Sequence, residues 1–394
     1  MRSTPSLKLG LAGLVLVGSA ISAGGVAFAD YGPQAGDVVG VGGDTAQYAT
    51  SFLADGDTAG DAGFNAAGSY NRLATFNATA DANGRSGYLN GSTLAAPLNL
   101  NPTVVLRAGT FPVQRVSSSG AALTAFLADT SQNINFIWSS SQPTAAQQST
   151  AATKGWGFLH VVQIGTDAVK IATASTTDAP AGLSVGQLLF IYTHAFNPGT
   201  SNPLTWNNVP GNSGGSTNAV VPEIPPSSSS IYKTLIADLK AANGNVAPTL
   251  GSNVKTVEQN DPTAITSSSA PADTIVPFSQ ARLNLWTSGY FHNPATAYPG
   301  GSALISGIKL LSGTPGDSNA VYASPITDYV IFRQSDANLS TPFEPGGALN
   351  WVQTLFSNPS GSTNPFVDTA AGQALITASG VTASYNDLGN VSQG

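Results

Sequence analysis

The chain has 394 residues, of which 41% are apolar and only 9% are charged, and it contains no cysteine. This apolar fraction excludes a disordered chain, and the lack of cysteine excludes disulfide bonds, thiolate metal sites and a cysteine nucleophile. Acidic residues outnumber lysine and arginine by 21 to 14, giving a formal charge of -7, which argues against nucleic-acid binding.

The first 29 residues have the pattern of a secretory signal peptide. Arg2 and Lys8 precede an apolar run from 9 to about 20, and Ala27-Phe28-Ala29 matches a small-residue cleavage site. The run is short for a membrane span and is interrupted by glycine and serine, and no later stretch is long and apolar enough. We therefore expect a secreted protein, extracellular or associated with the cell wall, with no stable membrane insertion after cleavage.

Two segments near the start of the mature chain share the order strand, small-residue loop, helix, which is typical of α/β proteins. The first is a strand over 38–43, followed by Asp44-Thr45 as the expected N-cap of a helix. The second begins with a strand over 104–106 and passes through Ser117–Gly120 into a helix. A further strand over 134–138 ends at Ser139, so its end is expected near the other loops if the sheet is parallel.

The third segment joins an apolar stretch to four serines, Ser227 to Ser230, and then to a helix that begins near Ile231 and stops at Asn243-Gly244. Serine hydroxyls and unpaired N–H groups at a helix start lie in the favourable field of the helix dipole for an anion. In open parallel sheets, ligands bind outside the carboxyl ends of the strands. The four loops together predict a convergent polar site.

The remainder of the chain continues to alternate between strands and helices. No fixed-period repeat is present, which excludes a solenoid. We expect the chain to end in helices. The predicted strands are 158–162, 168–172, 254–257, 274–278, 305–310 and 329–332, and the predicted helices lie around 185–190, 283–286, 351–356 and 371–375.

Five segments resemble those of a known family. Gly40–Gln47 is similar to a Gly-Val-Gly-Ser-Asp-Thr-Thr-Gln loop, Ser117–Gly120 to a second Gly/Ser loop, and Leu183–Leu188 with Trp206 to a helix and tryptophan. Val276–Arg282 is similar to an Ile-Gly-Pro-Phe-Ser stretch, and Trp351–Gly380 to closing helices. Over most of the mature chain the order resembles the phosphate-type extracellular solute-binding proteins of the class II periplasmic-binding-protein superfamily, in particular secreted actinobacterial members.

The resemblance implies an α/β, two-lobed class II periplasmic-binding-protein fold with crossover strands between the lobes. It places residues 30–160 and 290–394 in the first lobe and 161–289 in the second. It also implies that Asp44 accepts a hydrogen bond from a protonated oxyanion, which would favour hydrogen phosphate over sulfate. The implied hydrogen-bond donors to the ligand are Thr45, Ser118, Ser119, Gly120, Ser139, Ser228, Ser229 and Ser230.

The chain departs from the family pattern at two of these loops. Where the family has Ile-Pro-x-Ser-Gly-Ser-Gly-Thr-Arg, this chain has no glycine or threonine, and Tyr232 stands in the position of the arginine. Trp138 stands where the family has a charged strand end. Losing glycines and a bidentate arginine should weaken or change ligand recognition, with Arg107 or Arg115 as candidate replacement charges.

Two motifs suggest other chemistry and are set aside. Ser213 lies in a Gly-x-Ser-x-Gly match, but it sits in a loop and no histidine and acid are placed around it. The acidic stretch Asp55–Asp61 lacks the acid that closes a calcium loop, because Ala66 occupies that position. The three histidines have no metal-ligand spacing, so we expect no metal, no cofactor and no catalytic residue.

Two functions remain. The first is a secreted, non-enzymatic solute-binding protein that holds a small oxyanion or polar ligand between two lobes, with an ABC-type transporter as a candidate partner. The alternative is an extracellular structural or protein-interaction protein that keeps this fold without binding a ligand. The altered serine run favours the alternative.

Overall fold

A computed structural model describes residues 32, 34–57, 59–67, 72–78, 103–287, 307–313, 321–338, 350–358 and 364–393. The predicted signal peptide lies outside these residues. The strands are β1 (Val38–Gly42), β2 (Leu73–Phe76), β3 (Thr103–Val104), β4 (Val113–Gln114), β5 (Phe136–Ser139), β6 (Leu159–Ala174), β7 (Val221–Ile224), β8 (Lys255–Thr256), β9 (Thr274–Ser279), β10 (Ile308–Leu310), β11 (Ala323–Arg333) and β12 (Thr382–Gly389). The helices are α1 (Gln47–Asp55), α2 (Ser119–Ala128), α3 (Ala145–Thr153), α4 (Val185–Thr193), α5 (Ser230–Ala242), α6 (Thr263–Thr266), α7 (Gln280–Thr287), α8 (Gln334–Ala337), α9 (Trp351–Leu355) and α10 (Ala370–Ala378).

Most of the described strands form one mixed sheet in the order β2-β1-β5-β11-β6-β9-β7-β8, to which β10 and β12 add by pairing with β6. Strand β1 is parallel to β2 and β5, and β7 is parallel to β8 and β9. Strand β11 is antiparallel to β5 and β6. The carboxyl ends of the parallel strands therefore form two groups, one on each side of the β6–β11 pair.

The first half of the sheet is buried on both faces, because successive side chains of a strand point to opposite sides. Phe136 and Trp138 of β5 belong to a core under α1, α9 and α10, whereas Ile137 belongs to a core under α2 and α3. These two apolar layers and the sheet between them form the first lobe.

The second half repeats this arrangement with other helices. Ile171 of β6 and Ile275 of β9 pack under α4 and α5, and Val276 and Phe278 of β9 pack against α6 on the opposite face. Both β6 and β11 contribute to the cores of both halves. The predicted α/β fold with two lobes and crossover strands is confirmed.

The lobe boundaries stay a prediction. Ile308, Leu311 and Ile326 fall in the range predicted for the first lobe, but they pack in the apolar clusters of the second half of the sheet. Residues of the C-terminal range thus contribute to both halves.

Two local predictions are wrong, and two strands that were predicted separately are joined. The strands expected at 158–162 and 168–172 form one uninterrupted strand, β6. Helix α1 has Ala46 as its N-cap residue without a side-chain hydrogen bond, because the Asp44 side chain is paired with Arg282. The chain continues beyond its closing helices into β12, whose residues are half-buried or exposed and so lack apolar alternation.

His160 holds β12 onto the first lobe. Its Nε2 lies 2.5 Å from Asp387 Oδ1 and its Nδ1 lies 2.6 Å from Gln334 Oε1, and the ring stacks on Phe332. Burial lowers the pKa of His160, but the hydrogen bonds that its ring donates to the Asp387 carboxylate and the Gln334 carbonyl oxygen outweigh burial and raise this pKa. Within the described ranges, every helix falls short of the length and apolar character that crossing a membrane requires.

Candidate functional site

Glycines in β1 allow bulky side chains of β5 to pack directly on the strand. A methyl group on Gly40 would overlap the Phe136 ring, and one on Gly42 would lie 2.3 Å from atoms of the Trp138 ring. The Trp138 indole donates a hydrogen bond of 2.6 Å to the carbonyl of Gly43. Trp138 therefore fixes the position of the loop that follows β1. This loop carries Asp44 and Thr45.

Three loops of the first lobe come together at this point. A methyl group on Gly43 would lie 2.8 Å from the backbone N of Ser119, so the loop after β1 touches the start of α2. The Ser119 hydroxyl in turn accepts a hydrogen bond of 3.1 Å from the N–H of Ser140, in the loop after β5. The predicted convergence of these loops is present in the structure.

The serine hydroxyls in these loops already have partners within the chain. Ser118 is the N-cap of α2 and accepts from the N–H of Ala121 at 3.2 Å. The Ser139 hydroxyl donates to the Ser141 carbonyl at 2.7 Å and accepts from its N–H at 3.0 Å. The first N–H groups of α2 have no intrahelical partner, as in any helix, and they add to the donors at this place.

The serine run forms the start of α5 in the second lobe. Ser229 is the N-cap and accepts from the N–H of Tyr232 at 3.2 Å, while Ser228 is exposed and Ser230 is half-buried. Ile231, Leu235 and Leu239 are fully buried and dock the helix on the second core. The predicted helix start and its capping serine are confirmed, and Ser228 to Ser230 lie at its N-terminal end.

The Lys233 side chain extends from the start of α5 to the start of α2. It lies in the first turn of α5 and is exposed, and its Nζ is 3.6 Å from the position that a methyl group on Gly120 would occupy. The ammonium group of the second lobe thus lies at the N-terminal turn of α2 in the first lobe. The sequence patterns did not identify Lys233. A cation in the first turn of a helix is unfavourable in the field of the helix dipole, and its presence there could have marked Lys233 as a candidate site residue.

The carboxylate of Asp44 is fully buried and bound on both oxygens. Oδ1 lies 2.5 Å from Nη2 of Arg282, which also donates to the Asp44 carbonyl at 2.9 Å. Oδ2 accepts hydrogen bonds from Asn260 at 2.6 Å and from Gln259 at 3.3 Å. Both carboxamides follow β8 of the second lobe, so Asp44 connects the two lobes.

Two further carboxyl groups lie behind Asp44, on the strands that cross between the lobes. Asp167 of β6 accepts hydrogen bonds from the Ser279 hydroxyl at 2.5 Å and from the Ala281 N–H at 2.8 Å. Burial raises the pKa of Asp167, and these hydrogen bonds oppose the rise. Asp328 of β11 is fully buried; burial and the charges of Asp167 and Asp44 raise its pKa well above the usual range, with the Thr45 hydroxyl opposing.

The structure therefore brings the predicted residues together in two groups. Those of the first lobe are Asp44, Thr45, Ser118, Ser119, Gly120 and Ser139, and those of the second are Ser228, Ser229 and Ser230. Lys233 extends from the second group to Gly120 of the first, and the carboxamides of Gln259 and Asn260 contact Asp44 from the second lobe. The candidate replacement charges make other contacts: Arg107 donates to Ala35 and Asn135, and Arg115 donates to the Asn77 carbonyl.

The motifs that suggested other chemistry form local turns. Ser213 is exposed in a loop between a short 3₁₀ helix and β7. Asp57 Oδ1 accepts from the N–H groups of Ala59, Gly60 and Asp61, as in a solvated turn. Among the residues that the structure describes, no group of three or more His, Asp or Glu side chains is arranged to hold a metal ion.

No protein-family model matches the sequence, and no curated protein matches it. Solved structures with a similar fold include an ABC-type phosphate transport receptor from Vibrio cholerae, at 10% identity and a TM-score of 0.46, over 88% of this chain and 100% of that one. Another is PstS from Borrelia burgdorferi, at 11% identity and a TM-score of 0.41, over 88% of this chain and 98% of that one. Likenesses at this level of identity concern the fold alone.

Proposed function

We propose that the chain is a secreted, non-enzymatic solute-binding protein that holds a small oxyanion between its two lobes. The observation that carries this function is the position of Lys233, whose ammonium group lies across the lobe interface at the N-terminal turn of α2. Proteins bind oxyanions noncovalently with groups of this kind: a cation, a helix N-terminus and hydroxyl groups on loops of small residues.

The donors come from both lobes, so the ligand would help to hold them together. From the first lobe we assign the N–H groups at the start of α2 and the side chains of Thr45, Ser118 and Ser119. Ser139 would join them by turning its hydroxyl proton from the Ser141 carbonyl to the ligand. From the second lobe we assign the start of α5 with Ser228, Ser229 and Ser230. Lys233 supplies the charge that the family's arginine would supply. This binding needs no cofactor or metal, and an ABC-type transporter is the partner that such a protein would serve.

Calorimetry on residues 30–394 with sulfate, phosphate, other oxyanions and a neutral sugar tests this function. We expect an oxyanion to bind and the sugar to give no heat. Lys233→Gln should weaken oxyanion binding by about tenfold, because a charge-assisted hydrogen bond is lost. Lys240→Gln is the matched control, since Lys240 lies in the last turn of the same helix and is also exposed.

The absence of heat with every oxyanion, or an equal effect of the two lysine substitutions, would contradict the proposed function. Added neutral salt should weaken binding moderately, because Lys233 is exposed and its field is screened.

The second candidate is an extracellular structural or protein-interaction protein that keeps the fold without a ligand. It is favoured by the internal hydrogen bonds of Asp44, Ser118, Ser139 and Ser229, which leave these groups satisfied without a ligand. A pull-down from culture supernatant and cell wall, combined with calorimetry, separates the two. A stable protein partner together with no oxyanion binding would support the second candidate.

A further inference from the structure

Resting on the proposed function, we infer that the Asp44 carboxylate joins the two lobes through its hydrogen bonds and does not accept a hydrogen bond from the ligand. The cleft then binds oxyanions that carry no proton, of the sulfate class, at least as tightly as it binds hydrogen phosphate. This role differs from the acceptor role that the family resemblance implies, and it follows from the contacts of the carboxylate.

Both oxygens of Asp44 are engaged by groups of the protein. Nη2 of Arg282 lies 2.5 Å from Oδ1, and the amide nitrogens of Asn260 and Gln259 lie 2.6 Å and 3.3 Å from Oδ2. The Asp44 side chain has 0% of its surface exposed. A ligand O–H could reach this carboxylate only by displacing Asn260 or Gln259.

Both the nitrogen and the oxygen of the Asn260 carboxamide form hydrogen bonds, so displacing this side chain breaks two of them. Its Oδ1 accepts a hydrogen bond of 2.9 Å from the N–H of Ser279, at the end of β9, and the residue is 1% exposed. Ser279 in turn donates through its hydroxyl to Asp167 on β6. A continuous line of buried hydrogen bonds therefore runs from the loop after β1 through Asn260 to the strands that join the lobes.

The other groups assigned to the cleft are mainly donors. Backbone N–H groups and the Lys233 ammonium donate only, and the hydroxyls of Ser118 and Ser229 already accept from backbone N–H groups. A fully deprotonated oxyanion offers acceptors to all of them. Hydrogen phosphate brings one O–H group, and with Asp44 engaged this group finds only hydroxyl oxygens and no carboxylate among the groups assigned to the cleft, so it gives phosphate no advantage over sulfate.

The first test compares sulfate and phosphate by calorimetry near neutral pH, for the wild type and Asp44→Asn. We expect sulfate to bind at least as tightly as phosphate. The ratio of the two affinities should change by less than about twofold in Asp44→Asn, even if both affinities fall. Phosphate that binds tenfold or more tightly than sulfate, with this preference lost in Asp44→Asn, would overturn the inference and leave the proposed function intact. If neither anion binds, the proposed function itself fails.

The second test frees the carboxylate. Asn260→Gly removes the carboxamide, and glycine suits the backbone there because the φ angle of Asn260 is 55°. The preference for phosphate over sulfate should then rise by about tenfold, since Oδ2 becomes available to a ligand O–H. Asn245→Gly is the matched control, because Asn245 has a φ angle of 66° and is exposed in the turn that follows α5. An unchanged preference in Asn260→Gly would contradict the inference.

Discussion

At the scale of single residues, the contact between Gly42 and Trp138 determines where the loop after β1 lies. The indole packs on the bare backbone of Gly42 and donates to the next carbonyl, that of Gly43. Trp138 is 1% exposed, so its indole has a structural role in the first lobe. The position of Asp44 and Thr45 depends on this contact.

Gly42→Ala should destabilise the protein by about 1–3 kcal/mol, because the new methyl group overlaps the Trp138 ring and forces it to move. Gly186→Ala, in the first turn of α4, is the control. Its new methyl group would have Ser184 Oγ as its nearest neighbour, at 4.0 Å. We expect that change to stabilise by about 0.4–1 kcal/mol. Urea unfolding gives both values, and a Gly42→Ala protein as stable as wild type would contradict the packing described.

The residues around the candidate site differ in how far the sequence could predict them. The loops that carry the site residues follow from small residues at the ends of predicted strands, and the individual residues, such as Asp44 and Ser229, follow from the family resemblance. Asn260 and Arg282 contact Asp44 from 216 and 238 residues further along the chain. No local pattern encodes a pairing over such a separation, so these partners became apparent only in the folded protein.

At the scale of the elements, helices with strong apolar periodicity were predicted correctly, whereas a polar strand was not predicted. Helix α5 has Ile231, Leu235 and Leu239 on one face, and both its start and its end were predicted. Strand β12 has no such pattern, because it lies on β6 with its side chains partly buried or exposed and none of them fully buried. Besides its backbone pairing with β6, it makes a polar contact between His160 and Asp387, in which the imidazole is 8% exposed.

This pair should make the attachment of β12 depend on pH. The pKa of His160 is raised above 6.5, and that of Asp387 is lowered below 3.8 because the hydrogen bonds from His160 and Ser357 outweigh burial. The His160 contribution to stability is therefore complete below pH 6.5 and is lost as pH rises through the pKa of the folded state. The Asp387 contribution is present above pH 3.8 and is lost as pH falls through its lowered pKa.

The free energy of unfolding of wild type and His160→Gln tests this dependence. We expect the advantage of the wild type to be larger near pH 6 than near pH 9. Asp387→Asn should show the same trend, since it removes the other half of the pair. An advantage that is equal at the two pH values would show that the His160 charge has no part in stability.

At the scale of the whole molecule, the two lobes share buried charges as well as strands. Arg282 is 3% exposed, pairs with Asp44 and stacks over the Tyr48 ring at 4.5 Å. Asp167 and Asp328 lie nearby on the two crossing strands, β6 and β11. Removing Arg282 would leave the buried carboxylate of Asp44 without its compensating charge.

Arg282→Met should therefore destabilise the protein by about 3–5 kcal/mol, because Asp44 becomes a buried charge without its partner. The double variant Asp44→Asn with Arg282→Met should recover part of that loss, since no charge then remains at the pair. Urea unfolding of the two single variants and the double variant measures the coupling. Additive losses would mean that the two residues do not act as a pair.

The general architecture could be predicted from the sequence, because alternating strands and helices with small-residue loops specify an α/β fold. The path of the chain between the lobes could not. Strand β6 is a single element of 16 residues, and β11 accompanies it antiparallel with a register shift at Asp328/Tyr329. Only pairing with distant strands makes these long elements stable.

Strand β6 also determines when the protein can finish folding during its synthesis. Its described partners all come later in the chain: the first, β9, begins at Thr274, a hundred residues after β6 ends at Ala174, and the last, β12, ends at Gly389. While the ribosome makes those residues, both edges of a long apolar strand stay open to other strands. The central strand of the described sheet is thus completed only after β12 has been synthesised, and a chain truncated before β12 leaves β6 with an open edge in the first lobe.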